Sequence, residues 1–391
     1  MPDEDSINTE YQELADRYKP LLILYPEIDY DSEREEHYHP IGQRPGKRPL
    51  DQDYHPRDIR LILDNVYLKK WKGIAPREEV LKAMDENSIK YINLIDKGGP
   101  KRVDKYWKYY AQILDKDATD SNGKKEYGRK AYARVMKGDK WFEDYISIQY
   151  WMAYFFDDWA NVHEMDWEMV GVIVKKKPGC PEEPVACIGN AHVGSFLEPW
   201  GKVEKANDRG ERDEAGTHPI AYIANGSHAA YFSEYPPHLN VIEPYLNGAL
   251  RTVVRAANVA MEFMDYVPRY EDGVYYFPDI EVIPAPKEDK NSGRKYWTGE
   301  WRWLNFTGKW GSPTELTFHE KIIAGIPLVG RLARYFSRPL QEAGPRGPNT
   351  RGLCWEEPLL WSDLNCFKGA DPSGWLHEQG KRDETDTDKE S

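Results

Sequence analysis

The pattern of apolar and polar positions predicts a β-rich core in the middle of the chain. Residues 145 to 156, YISIQYWMAYFF, are a dense run of β-branched and aromatic side chains that is apolar on both faces, as a strand buried on both sides should be. Three strand-like segments follow, separated by turns: DWEMVGVIVKK from Asp166, PVACIGNAH from Pro184 and HPIAYIANGSHAAYF from His218. Strands spaced in this way favour an antiparallel β-sandwich over a parallel α/β sheet.

Helical patterns lie on the N-terminal side of this core. LADRYKPLLILYPE, from Leu14, predicts a helical turn that ends at Pro20 and leads into a short strand. HPRDIRLIL, from His55, predicts the start of a helix followed by an amphipathic segment. Residues 76 to 140 are charged and Lys-rich, and they open with a proline and acidic residues, as helix N-termini often do. We therefore expect a helical insertion over residues 76 to 140.

The two ends of the chain differ from its centre. Residues 379 to 391 are polar throughout and predict a disordered acidic tail. Residues 1 to 12 predict a loose N-terminus, because chain ends are poorly ordered unless something holds them. Between these ends, we expect residues 13 to 378 to form a single β-sandwich domain that carries the helical insertion.

Composition and charge narrow the classes of function. A formal net charge of -13 argues against nonspecific binding to nucleic acid, which requires a positive surface. The first residues, MPDEDSINTEYQEL, lack the basic and apolar regions of a signal peptide, and no apolar run approaches the roughly 18 residues of a membrane span. We therefore expect a cytoplasmic protein without a transmembrane segment. The 14 Trp and 26 Tyr residues mildly favour a carbohydrate or lipid surface.

The candidate chemistry is concentrated in the segment HEMDWEMV. In a strand, residues two apart lie on one face, so Asp166 and Glu168 point the same way, together with Val170 and Val172. Two ionised carboxylates beside an apolar core repel each other and lose hydration, so they need a cation, a shared proton or a positive partner. His163 precedes Asp166 by three residues, in a turn from which it could fold over the same end of the strand.

The preceding strand ends in two more carboxylates. If the two strands form a hairpin, Asp157 or Asp158 faces the same cavity as the motif. A shell of carboxylates with one imidazole is plausible for a divalent cation, and its oxygen content favours Mg or Ca over Zn. The alternative is a polar strand start with solvated acids and a capping histidine. Residue spacing alone does not choose between the two.

Further histidines end neighbouring strands. His192 and His228 could ring the same cavity and act as general acid or base on a metal-bound water, although each alone is more often a structural histidine. His218 directly precedes Pro219 and looks like the start of a strand. The chain carries no dinucleotide-binding, Walker A, nucleophile-elbow or zincin motif.

The central motifs resemble those of the Vps62-related (vacuolar protein sorting-associated protein 62-like) family. Its members show a YWFFY-type strand, an H-E-G-D-W-E motif and an H-P-V-V-Y-V-x-x-G-S-H-A-x-Y motif. Here YWMAYFFDDW, HEMDWEMV and HPIAYIANGSHAAYF stand in the same order. The late segments GKWG, from Gly308, and GPRGP, from Gly344, are also similar to that family. The name refers to trafficking and implies little about chemistry.

A more distant similarity is to the necrosis- and ethylene-inducing (NLP) proteins, whose hallmark is G-H-R-H-D-W-E. That resemblance implies a divalent metal in a β-sandwich cavity, held by His163, Asp166 and Glu168 at the same H-x-x-D-x-E spacing and by an upstream Asp157 or Asp158. The motif departs from the pattern at Val162, where the NLP hallmark has Gly, and at Met165, where these families have His or Gly. Toxin activity therefore does not carry over.

Three functions remain open from the sequence. The first is a binding module in which the metal bridges the protein to a lipid head group or glycan. The second is a metal-dependent hydrolase that uses His192 or His228 as acid or base. The third is a structural or trafficking protein whose site only ties the fold together. Whether the protein is an enzyme is left undecided by these patterns.

Overall fold

A computed structural model describes twelve stretches of the chain. They are residues 4–24, 55–68, 71, 73–94, 127–138, 142–157, 163–191, 194–224, 227–234, 267–271, 273–311 and 344–365. The helices are α1 (Glu4–Arg17), α2 (Ile59–Leu63), α3 (Arg77–Asp85), α4 (Leu353–Glu356) and α5 (Pro358–Asn365), with 3-10 turns at Trp200–Lys202, Gly299–Asn305 and Pro348–Thr350. The strands are β1 (Leu21–Leu24), β2 (Lys130–Lys137), β3 (Tyr145–Asp157), β4 (His163–Lys175), β5 (Glu183–Ala191), β6 (Gly194–Pro199), β7 (Lys205–Ala206), β8 (His218–Ile223), β9 (Ala230–Tyr231), β10 (Val274–Tyr276), β11 (Asp279–Val282), β12 (Lys287–Glu288) and β13 (Lys295–Tyr296).

The fold is mainly β, and its two larger sheets are mixed. The six-stranded sheet has the order β11-β2-β3-β4-β5-β6, and the five-stranded sheet has the order β10-β1-β8-β7 with β9 paired to β8. Strands β11 and β2 run parallel, as do β1 and β8. The expected purely antiparallel arrangement is therefore wrong. Short connections link the antiparallel strands from β2 to β6, but β1 and β11 reach their neighbours from distant parts of the chain, so no short connection sets their direction.

One face of the six-stranded sheet shares an apolar core with the five-stranded sheet. Alternate residues of β3, such as Ile148 and Tyr150, and of β4, such as Val170 and Val172, lie in one buried cluster with the whole of β1. Strand β1 reads LLIL and is buried along its entire length, as expected of a strand between two neighbours. The two sheets are thereby packed against each other.

The opposite face of the six-stranded sheet is covered by helices and a cluster of tryptophans. Trp167 on β4 stacks on Trp303 with ring centroids 5.4 Å apart and an angle of 11° between the ring planes. The edge of Trp310 meets Trp167 at 5.3 Å. Helices α2, α3 and α4 contribute further apolar side chains to this core. Strand β4 is therefore buried on both faces.

Two expectations about boundaries require correction. Helix α1 begins at Glu4, inside the segment predicted to be loose, because Leu14, Ala15 and Tyr18 anchor the same helix in the shared core. Strand β2 occupies Lys130–Lys137, inside the predicted helical insertion of residues 76 to 140, where Ala131, Ala133 and Val135 alternate toward the core. Helix α3 lies within that predicted insertion, and the tail at residues 379 to 391 lies outside the described residues.

None of the helices in the described stretches is long and apolar enough to cross a bilayer.

Candidate functional site

Strands β3 and β4 form the hairpin that the sequence interpretation requires. Their register places Asp157, the last residue of β3, directly opposite His163, the first residue of β4. The Oδ2 atom of Asp157 lies 3.0 Å from Nε2 of His163. Both side chains are almost completely buried. The end of the hairpin thus brings an imidazole and a carboxylate into direct contact away from water.

The other nitrogen of His163 defines the state of the ring. Nδ1 lies 2.6 Å from the carbonyl oxygen of Met165, and because a carbonyl only accepts, Nδ1 carries the hydrogen. Nε2 therefore faces the carboxylate of Asp157 in one of two states. Either it carries a second proton, or it presents a lone pair and a cation lies between the two groups. Burial would lower the pKa of His163, but the charge and hydrogen bond of Asp157, with Asp166 and the Met165 carbonyl, raise that pKa to about 9.

A second histidine–carboxylate pair lies close to the first. Nδ1 of His228, in the segment between β8 and β9, is 3.2 Å from Oδ2 of Asp166, while the Trp167 backbone N–H donates to Oδ1 over 2.8 Å. Burial would raise the pKa of Asp166, but the hydrogen bond from His228 and the charges of His228, His163 and Arg351 hold it below its ordinary value. The two pairs are electrostatically coupled, because His163 and Asp166 each shift the other's pKa.

An aromatic ring orients the second pair. The rings of Tyr154 and His228 stack with centroids 4.0 Å apart and only 10° between their planes. Tyr154 is the cross-strand partner of Asp166 in the β3–β4 register. Burial, followed by Tyr276, Glu168 and Asp166, raises the pKa of the Tyr154 hydroxyl well above its ordinary value. Tyr154 therefore stays neutral and supports the imidazole.

The backbone is strained at two points of this site. Met165 has a φ of 58° and His228 a φ of 57°, the left-handed region that costs most residues about 1–3 kcal/mol. Within the described residues, the other non-glycine case is Asn87, a residue type that tolerates this region well. Glycine is the residue that this backbone conformation favours. Such strain persists where surrounding structure enforces it, and it often marks functional sites.

Two glycines from the late motifs pack against the start of β4. A Cβ on Gly311 would lie 1.9 Å from the carbonyl oxygen of Glu164, and one on Gly344 would lie 2.4 Å from the same oxygen. The Trp310 backbone N–H donates to the carbonyl of Pro345 over 2.8 Å and ties the two segments together. The glycine-rich segments therefore hold the β4 backbone in place beside His163.

The structure brings some of the predicted ligands together and separates others. Asp157 contacts His163, whereas Asp166 contacts His228, and the half-buried Glu168 lies two residues further along β4. Among the residues that the structure describes, no group of three or more His, Cys, Asp and Glu side chains is arranged to hold a metal ion.

The remaining predicted site residues are accounted for separately. Asp158 and His192 lie outside the described residues. His218 begins β8, as predicted, and contacts the Lys19 carbonyl oxygen and the Asp208 carboxylate at 2.9 and 3.0 Å.

Sequence reasoning missed three residues of the site. Tyr154 could have been found by aligning the hairpin from Asp157 and His163 inward. Nη2 of Arg351 donates to the carbonyl oxygen of Trp167 over 3.1 Å. The sequence around Arg351 does not predict that hydrogen bond. Glu164 is buried and accepts the Leu94 backbone N–H over 3.2 Å, although its place in the motif predicted no separate role.

Comparison with known proteins gives only a weak structural likeness. No family model matches the chain, and no curated protein matches it. The crystal structure of the non-toxic protein HaNLP3 is 20% identical over 28% of this chain, with a TM-score of 0.22. A crystal structure of an NLPPya mutant is 19% identical over 29% of this chain, with a TM-score of 0.20. The match spans about half the length of each, 47% in both cases.

Proposed function

We propose that this protein binds a divalent cation at the end of the β3–β4 hairpin and, through that cation, a lipid head group or a glycan-type ligand. One observation carries the proposal. His163 donates through Nδ1 to the carbonyl of Met165 and turns Nε2 toward the carboxylate of Asp157. A backbone hydrogen bond that fixes the tautomer in this way is typical of metal-ligating histidines.

The distance at this contact is compatible with two ligands of one cation as well as with a direct hydrogen bond. Two adjacent ligands of an octahedral cation with bonds of about 2.1 Å lie about 3.0 Å apart. The separation of Nε2 of His163 from Oδ2 of Asp157 is 3.0 Å. Because no three such side chains in the described residues are arranged around one point, Asp166 and Glu168 would have to turn toward the cation on binding, with Asp158 as a further carboxylate. A shell of that many carboxylates favours Mg or Ca over Zn. The bound cation would supply positive charge for phosphate or hydroxyl oxygens of the ligand.

The fold and the motifs support a narrower assignment. Two sheets that share one core fit a β-sandwich. We also propose membership of the Vps62-related family, on the order of its motifs in the chain.

Metal content and ligand binding test the proposal. Purified wild-type protein should retain about one equivalent of Mg or Ca by inductively coupled plasma mass spectrometry, and His163→Gln should lose it. The matched control is His218→Gln, because His218 makes the same two kinds of contact away from the hairpin. EDTA should abolish binding to lipid vesicles or glycan arrays. Equal metal content in His163→Gln and His218→Gln would refute the proposal.

A hydrolase is the second candidate, favoured by the pair of Asp166 and His228. A carboxylate bonded to Nδ1 of an imidazole is the arrangement that orients a general base. Nε2 of His228 would accept a proton from metal-bound water, and His192 is the other candidate acid or base. Wild-type turnover of phosphodiester or ester substrates that vanishes in His228→Asn, while metal content stays constant, would favour this function. Cation-dependent binding without turnover favours the binding module.

A further inference from the structure

A cavity lies on the face of the six-stranded sheet that also carries the tryptophan cluster. It is lined by the N-terminus of α2, by α3, β2 and β11, and by the 3-10 turn Gly299–Asn305, and its volume is about 170 Å³. A cavity of this volume holds on the order of ten water molecules. It is smaller than the pockets that bind drug-sized ligands, which measure roughly 300–1,000 Å³. A cavity of this size suits one small ligand unit.

The charges that line the cavity balance. Three cationic side chains, Arg60, Arg77 and Lys130, face three acidic ones, Asp58, Glu281 and Glu300. Because the lining has no net charge, it offers little net attraction to a simple anion or cation. A neutral molecule with several hydroxyl groups can donate to the acids and accept from the cations at once.

Acidic side chains hold the cationic groups in position. Asp58 has a completely buried side chain, and it accepts from Nε of Arg60 at 2.9 Å and lies 3.3 Å from Nζ of Lys130. Nε of Arg77 donates to Asp64 over 2.6 Å, and its Nη1 is 3.5 Å from Glu300. A guanidinium has five N–H donors in a fixed plane, so clamping by one carboxylate leaves donors for a ligand.

The remaining wall is aromatic and rigid. Trp301 is half-buried and lines the cavity, and its ring contacts the edge of Tyr132 at 5.8 Å and the tilted ring of Trp303 at 6.1 Å. Trp303 in turn stacks on Trp167 in the core. A fixed indole beside hydroxyl-binding groups offers an apolar surface to the C–H face of a sugar ring.

We propose that this cavity, lined by Trp301 and the Arg60–Asp58 and Arg77–Glu300 pairs, is a cation-independent binding site for one unit of a neutral saccharide. The proposal goes beyond the cation site because it uses none of its residues. The sugar ring would lie against Trp301, and its hydroxyl groups would bridge the acidic and cationic side chains. No covalent step is involved.

Binding of an array of neutral glycans in the presence of EDTA tests this site. Wild-type protein should bind neutral glycans, and Trp301→Ala should weaken the affinity about tenfold or more, as loss of a central aromatic anchor does. Trp71→Ala, which changes an exposed tryptophan outside the cavity, should bind like wild type. Glu300→Arg, at an exposed position, should also weaken glycan binding about tenfold by filling the mouth of the cavity.

The outcomes separate this site from the cation site. Inorganic phosphate bound in place of glycans, and more tightly by Glu300→Arg, would identify an anion site and overturn the proposal. Unchanged glycan binding by both Trp301→Ala and Glu300→Arg would do the same. Glycan binding that EDTA abolishes would belong to the hairpin cation and overturn this site alone. Glycan binding retained by His163→Gln after its metal is lost would support this cavity, even if the cation proposal failed on other grounds.

Discussion

Gly311 approaches Glu164 so closely that a Cβ would lie 1.9 Å from the Glu164 carbonyl oxygen, and the φ of Gly311 is 131°. Both the contact and the backbone therefore require glycine. Gly311→Ala should lower the free energy of unfolding by about 2–5 kcal/mol, as overpacking and backbone strain together do. Urea unfolding followed by circular dichroism measures the change.

Gly201→Ala is the control, because a Cβ at Gly201 would meet nothing within 4 Å. It should change the free energy of unfolding by less than about 1 kcal/mol. Equal stability of Gly311→Ala and Gly201→Ala would show that Gly311 does not brace β4. If Gly311→Ala folds, its metal content should fall with its stability, because the displaced strand begins with His163.

The strained backbone at Met165 gives a second prediction. At an ordinary strand position, a glycine variant is less stable than an alanine variant by about 0.5–1 kcal/mol. At a φ of 58°, alanine keeps the backbone strain and glycine removes it. Met165→Gly should therefore be more stable than Met165→Ala by about 1 kcal/mol. Thermal and urea unfolding of the two variants measure this difference.

Met169 supplies the comparison for Met165. Both side chains are completely buried on the same face of β4, so both pairs of variants lose the same packing. At Met169, whose backbone φ is not positive, alanine should be more stable than glycine. The same order at both positions would mean that the left-handed conformation at Met165 contributes no strain.

The hairpin and the core strands could be predicted from local pattern, whereas the residues that reach the site from distant segments could not. Period-two alternation and the dense aromatic run of β3 identify buried strands. The small number of residues between β3 and β4 predicts that these two strands pair. The approach of an upstream aspartate, Asp157 or Asp158, to the motif follows from that hairpin alone. Arg351 and His228 reach Asp166 from segments 185 and 62 residues away, so only tertiary packing specifies their positions.

Strand β2 shows why the insertion boundary was wrong. Its sequence, KAYARVMK, combines small and charged residues, so its Ala-rich buried face carries a weak apolar signal. Pairing with β3 on one side and β11 on the other makes it a strand. The parallel direction of β11 against β2 is likewise set by packing between segments far apart in sequence.

The pair of Asp166 and His228 should show measurable coupling. A double-mutant cycle with Asp166→Asn and His228→Asn should give a coupling free energy of at least about 1 kcal/mol in EDTA, because both groups are buried and bonded at 3.2 Å. Asparagine is chosen at position 228 because it tolerates the left-handed backbone.

The pair of His218 and Asp208 is the matched control for this cycle. Its Nε2–Oδ1 distance is 3.0 Å, but the Asp208 side chain is 96% exposed, so water screens the contact. The cycle of His218→Asn with Asp208→Asn should give about 0–1 kcal/mol. A coupling at Asp166 and His228 no larger than this control would show that the buried pair does not help hold the site.

Acid should destabilise the protein partly through Asp58. Burial would raise the pKa of Asp58, but hydrogen bonds from Arg60 and the charges of Lys130 and Arg60 hold it below its ordinary 3.8. A carboxyl whose pKa is lowered on folding stabilises the fold at pH values above its unfolded pKa, and this stabilisation is lost as pH falls through the folded pKa. The contribution of Asp58 should therefore be complete above about pH 5 and decline below about pH 4.

Asp58→Asn isolates this contribution, because asparagine still caps the N-terminus of α2 but carries no charge. The free energy of unfolding of wild type should exceed that of Asp58→Asn at neutral pH, and the two should converge as pH falls below about 4. The exposed Asp213→Asn should track wild type at every pH. If the difference in free energy of unfolding between wild type and Asp58→Asn stays constant down to acid pH, the effect of Asp58 is due to packing. An effect of the ionised carboxylate would make that difference depend on pH.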